Sequence, residues 1–130
     1  HRFDPPAPND PPVDQLKSLA RQLAGTLTSP DWQRALPVLL DVARRVDEFA
    51  ELHESMALDD GTLSRTIARL VEEGVLPRGT PVGEVLVQIV GPLTVGAIFS
   101  PASIDNDFAD RLVERLVRGY ASEPRDGSTS

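Results

Sequence analysis

Between Val82 and Phe99 the chain carries Val82, Val85, Leu86, Val87, Ile89, Val90, Leu93, Val95, Ala97, Ile98 and Phe99, and its only charge is Glu84. Wound as a helix, these side chains go nearly all the way round, and a helix apolar on every side is buried on every side. The β-branched residues also suit strands, but strands rarely reach this length, so the spacing predicts one helix, kinked at Pro92. A chain of 130 residues suffices for a single domain. In such a domain this helix is either the centre of the protomer or is covered by a second copy. It stands next to last and is followed by another broad-faced helix, which places it in an intersubunit bundle. Glu84 interrupts the apolar run, so no membrane span is expected.

The other apolar residues keep helical spacing. Leu16, Leu19, Ala20, Leu23 and Leu27 form one stripe; Trp32, Leu36, Leu39, Leu40, Ala43 and Val46 form the next. Ser29-Pro30 and Thr80-Pro81 read as cap-plus-proline helix starts, and Pro37 predicts a kink or break near Leu36. Phe49, Leu52, His53, Met56, Leu63, Ile67, Leu70 and Val71 share one stripe if a single helix runs through Gly61, ending at Gly74 as its C′ residue. Phe108, Leu112, Val113, Leu116, Val117 and Tyr120 give the last helix a broad face, with Asp105 as its cap. Asp107 with Arg111, and Glu114 with Arg118, are spaced as outer-face pairs. The fold class is therefore all-α, with about five main helices in an orthogonal or antiparallel bundle. The folded body is expected over residues 12–122. A proline-rich lead-in, extended or disordered, precedes it (1–11), and a polar tail follows (123–130).

Much chemistry is excluded. Without cysteine there is no disulfide, thiolate catalysis or Cys-based zinc site. The formal net charge of −7 makes this domain a poor partner for nucleic acid. No nucleophile elbow, P-loop, dinucleotide fingerprint or His-Glu-x-x-His motif occurs. His53 is the only histidine in the body, so no nucleophile–base pair, metal site or cofactor is expected. His53 sits on an apolar stripe beside Leu52 and Met56. It is either a half-buried core histidine or the polar group that orients a ligand in an apolar pocket. Trp32 and Met56 carry the same two readings.

The runs Asp14-Gln-Leu-Lys-Ser-Leu-Ala-Arg-Gln-Leu-Ala24, Ser29-Pro-Asp-Trp32 and Arg34-Ala-Leu-Pro-Val-Leu-Leu40 resemble the regulatory domain of tetracycline-repressor (TetR) family transcription factors. So do Leu70-Val-Glu-Glu-Gly-Val-Leu76, Ile89-Val-Gly-Pro-Leu93 and Leu112-Val-Glu-Arg-Leu-Val-Arg-Gly-Tyr120. The resemblance implies a cytoplasmic, all-helical domain that dimerises through its last two helices and binds a small effector in its core. Effector binding would then alter the spacing of two DNA-binding heads. The family's helix-turn-helix has no counterpart in these residues, so operator DNA is not expected to be a partner of this chain.

Two functions follow as expectations. One is an effector-sensing homodimerisation domain, taking a small hydrophobic or aromatic molecule. The other is a structural dimerisation module with a filled core. A small all-α enzyme is a distant third. Helix spacing puts Trp32, Leu36, Leu40, Phe49, His53, Met56, Ile67 and Ile89 around the pocket. Leu86, Leu93, Phe108, Leu112 and Leu116 form the expected interface core, with Arg111 and Arg115 nearer its rim.

Overall fold

A computed structural model describes residues 3–4, 6–43 and 61–122. Among them are five α-helices, one 3-10 turn and no strand, so the chain is all-α as expected. The helices are α1 (Pro12–Leu27), α2 (Pro30–Ala43), α3 (Thr62–Glu72), α4 (Val82–Phe99) and α5 (Asn106–Ser122). The 3-10 turn, Pro101–Ser103, joins the last two.

The protomer is built around α1. Leu16, Leu19, Ala20, Leu23, Ala24 and Leu27 are all buried, an arc of about 140° of the helix circumference. The other four helices pack against it. That settles where α4 stands. It lends the stripe Val85, Ile89, Leu93 and Ala97 to the core and leaves its other side outward. It is long and apolar enough to cross a membrane by length and composition alone. Here, though, its inner stripe packs against neighbouring helices.

Local signals account for most helix ends. Asp105 caps α5: its Oδ1 accepts the Phe108 N–H at 2.8 Å. After α3 the Val75 N–H donates to the Leu70 carbonyl and the Gly74 N–H to that of Val71, the paired bonds of a Schellman ending. Three expectations need correction. The helix predicted to pass through Gly61 starts there instead: Gly61 has φ 99°, a left-handed turn that a right-handed helix cannot contain. The Thr80 hydroxyl donates back to the Pro77 carbonyl, so Pro81 is the cap residue and α4 begins one position later. The Ser29 hydroxyl also turns back, to the Thr26 carbonyl, in place of capping, while α2 starts at Pro30 as expected. Pro37 and Pro92 are exposed, and helical structure runs through both.

The proline-rich lead-in lies against α1. Phe3 is buried in the common core. The Asp4 N–H donates to Gln22 Oε1 at 2.8 Å, and the Gln22 amide donates back to the Asp4 carbonyl. Gln15, only 1% exposed, donates to the carbonyls of Ala7 and Asp10 and accepts from Arg69 Nη1 at 2.9 Å. A buried amide is tolerable only when bonded on both sides, and this one is.

Leu23→Ala should cost about 2–5 kcal/mol, because it opens a cavity on the fully buried face of α1. Urea unfolding, followed at constant m-value, measures it. A loss under about 1 kcal/mol would deny α1 its central place.

Candidate functional site

Of the expected pocket residues, Trp32, Leu36, Ile67 and Ile89 can be placed. Leu36 on α2, Ile67 on α3 and Ile89 on α4 are buried in one cluster, and Trp32 packs half-buried against it. These four residues contribute to the one hydrophobic core of the domain. Leu40 lies on α2, and its side chain falls outside the described ones. Phe49, His53 and Met56 lie outside the described residues altogether. Gln33 fastens α2 to this region: its amide donates to the Leu27 carbonyl at 2.8 Å and to that of Ala97 at 3.0 Å. The ends of α1, α2 and α4 are thereby tied together.

The second candidate surface is the outer side of α4 with α5. Val87 is 68% exposed, Val95 54% and Phe99 78%; of the described exposed large hydrophobics only Val38 lies elsewhere. Leu86, Phe108 and Leu112 are half-buried at the margin of the core, while Arg111 and Arg115 are exposed. Two interface expectations fail on burial. Leu93 has no exposed surface and belongs to the protomer core, and Leu116 is also turned inward. A second copy cannot reach a side chain already enclosed by its own chain.

Polar ties fix α5 against both its neighbours. Arg21 grips Asp110 with two bonds, Nε to Oδ1 at 2.7 Å and Nη2 to Oδ2 at 2.6 Å, and Lys17 meets Glu114 at 3.1 Å. As the α1 partner advances by four residues its α5 partner retreats by four, so the helices are antiparallel. Glu114 thus reaches across to α1, a partner that spacing along α5 alone could not reveal. On the other side the Tyr120 hydroxyl donates to Glu84 Oε2 at 2.6 Å and accepts from Gln88 Nε2 at 2.7 Å. This clasp ties α4 to α5 through the one charged residue on α4. The hydrogen bonds from Arg21 first, and its charge second, hold the Asp110 carboxyl below the usual carboxylate range.

Sequence reasoning missed Gln15, Gln33, Gln88 and the Arg21–Asp110 pair. No periodicity marks a long-range polar partner, and each becomes visible only once the helices are packed. It also missed Thr94, whose Oγ1 is buried without a hydrogen-bond partner. Among the described residues no group of three or more His, Asp or Glu could hold a metal ion.

Residues 10–116 match the family described as tetracyclin repressor-like, C-terminal domain. The match takes in α1 to α4 and most of α5, and the chain belongs to that family. These are regulator domains that bind ligands and dimerise. Comparison with curated proteins and with solved structures gives no match.

Two outcomes test these polar groups. The folded chain favours the Asp110 carboxylate. Its contribution is therefore present above the ordinary carboxylate range, near pH 4, and is lost as pH falls through the lowered folded value. The pair is partly exposed, so Asp110→Asn should cost under about 1 kcal/mol at neutral pH. It should also flatten the acid limb of a stability–pH curve. An unchanged acid limb would remove the pair from the account. Thr94→Val should raise stability by about 1 kcal/mol, because it deletes a buried hydroxyl that has no partner; a lower melting temperature would contradict this.

Proposed function

We propose that this chain senses a small hydrophobic or aromatic effector for a transcriptional repressor and joins two copies of it through α4 and α5. The observation that carries the reading is the outer face of α4. A domain of a dimerising regulator family leaves Val87, Val95 and Phe99 in water on one helix side. Apolar area of that kind, beside Phe108 and Leu112, is what a stable self-complementary interface is made from. Leu86 belongs to its margin, with Arg111 and Arg115 at the rim. A four-helix arrangement of α4 and α5 from each copy can bury the roughly 1,000–2,000 Å² that a specific dimer needs.

The effector would lie among α2, α3 and α4, bordered by Trp32, Leu36, Ile67 and Ile89. Leu40, Phe49, His53 and Met56 complete the set on the spacing of the sequence, with His53 as the polar group. Operator contact belongs to a DNA-binding part outside these residues, in keeping with the acidic charge of this one. The role is regulatory rather than catalytic, and it is exercised in the cytoplasm, where operator DNA is.

Two measurements test this. Light scattering at micromolar concentration should give twice the chain mass for the parent chain and a folded single chain for Val87→Glu. Val87 is exposed, so the new carboxylate spares the fold but costs several kcal/mol if a partner buries it. A monomeric parent would end the dimer reading. A thermal-shift panel of small hydrophobic and aromatic compounds tests the effector. A ligand at about 100 times its Kd adds about 2.7 kcal/mol, and His53→Ala should lose most of that without losing its fold. No shift with any compound would favour the structural module with a filled core.

A further inference from the structure

Thr94 carries the one buried side-chain oxygen or nitrogen among the described residues that has no hydrogen-bond partner. In a helix a threonine hydroxyl can meet its need on its own element, at the carbonyl three or four residues back. Thr66, the buried threonine of α3, does so: its Oγ1 donates to the Thr62 carbonyl at 2.9 Å. Thr28 donates to the Ala24 carbonyl at 2.8 Å. Thr94 has the carbonyls of Gly91 and Val90 at the same offsets and bonds neither. Its Oγ1 is also closed to water, so burial costs it the desolvation of a polar group with no return. A valine of the same shape would fill the position without that cost.

The place of Thr94 on α4 says what could satisfy it. Gly96 stands about 160° around the helix from Thr94, and it faces Ile104, just before α5. The stripe Val85, Ile89, Leu93 and Ala97 faces the protomer core. The other described helices packed on α4 are α2 and α3, which are left for the Thr94 side. Val90 and Ile98 share that side, one turn before and one turn after, and both pack half-buried against the core. Gln33 ties α2 to α4 at the Ala97 carbonyl, within a turn of Thr94. The unpaired hydroxyl thus borders the region among α2, α3 and α4 given to the effector.

We infer that Thr94 reads the effector's polar atom: its hydroxyl bonds a phenolic or carbonyl oxygen on an aromatic frame. This rests on the effector reading above and adds to it a second polar group, on α4, beside His53. A ligand shifts a protein between two states only by binding one of them better. A hydroxyl unpaired in the closed bundle, and paired once a ligand parts α2 from α4, supplies that difference. One placed hydroxyl in an apolar site also discriminates against the hydrocarbon of the same shape.

Three isosteric pairs test this by ligand-dependent melting: phenol with toluene, acetophenone with α-methylstyrene, and 2-naphthol with 2-methylnaphthalene. Within a pair, the ratio of affinities cancels what the shared frame contributes. Thr94→Val should move that ratio toward the hydrocarbon at least about threefold, while the empty chain melts higher. Thr94→Ser keeps the hydroxyl and should hold the parent's ratio. Opposite signs on binding and on stability separate a ligand contact from a packing role. Thr94→Ala serves as the second hydroxyl-free variant if Thr94→Val does not fold.

A ratio unchanged in both hydroxyl-free variants means another group reads the oxygen, and this inference fails while the effector reading stands. A ratio lost equally in Thr94→Ser overturns it too. If no pair shifts the parent, the ligand is not of this class and the inference falls; the wider compound panel then decides the effector reading by itself.

Discussion

Everything in this protomer leans on the burial of α1. Leu16, Leu19, Ala20, Leu23, Ala24 and Leu27 occupy the middle, and no other described helix has so wide a buried arc. A bundle this small has room for one central helix. With α1 there, α4 is pushed to the outside even though it is the more apolar of the two. The stability of the single chain and the stickiness of its surface thus have one cause.

The polar contacts decide orientation rather than cohesion. Exposed ion pairs add little energy, but a two-bond guanidinium–carboxylate grip such as Arg21–Asp110 is directional. Together with Lys17–Glu114 it sets the sliding position of α5 on α1. The Tyr120 clasp then sets the rotation of α4 against α5. With both fixed, Val87, Gly91 and Val95 present a defined stripe instead of a mobile apolar surface. On the far side of the core, Gln15 holds the lead-in and α3 to α1 through one buried amide.

The helices, the Asp105 cap and the Schellman end of α3 were legible because each depends on residues within a turn or two of one another. The inner side of α4 was not. A helix apolar all round carries no mark of which side faces in, so Leu86 and Leu93 looked alike. Packing then enclosed Leu93 and left Val87 out. The run through Gly61 misled because its apolar spacing is consistent with unbroken helix, whereas the left-handed φ there depends on the backbone alone. For the pocket, Leu36, Ile67 and Ile89 are buried in the common core, as are most apolar residues of the described helices. The sequence could not separate lining a cavity from filling it, since both need the same apolar side chains.

The antiparallel pairing of α1 with α5 has a consequence for synthesis. Lys17 and Glu114 meet across 97 positions of sequence, so α1 receives its cover from α5 only after the described helices between them have been made. At ~5–20 residues per second, a ribosome takes roughly 5–20 s to go from the end of α1 to the end of α5. Throughout that interval the leucine face of α1 is without one of its walls. Until α5 is made, α1 is an amphipathic helix with part of its leucine face in water, and closure of the bundle waits on the synthesis of α5.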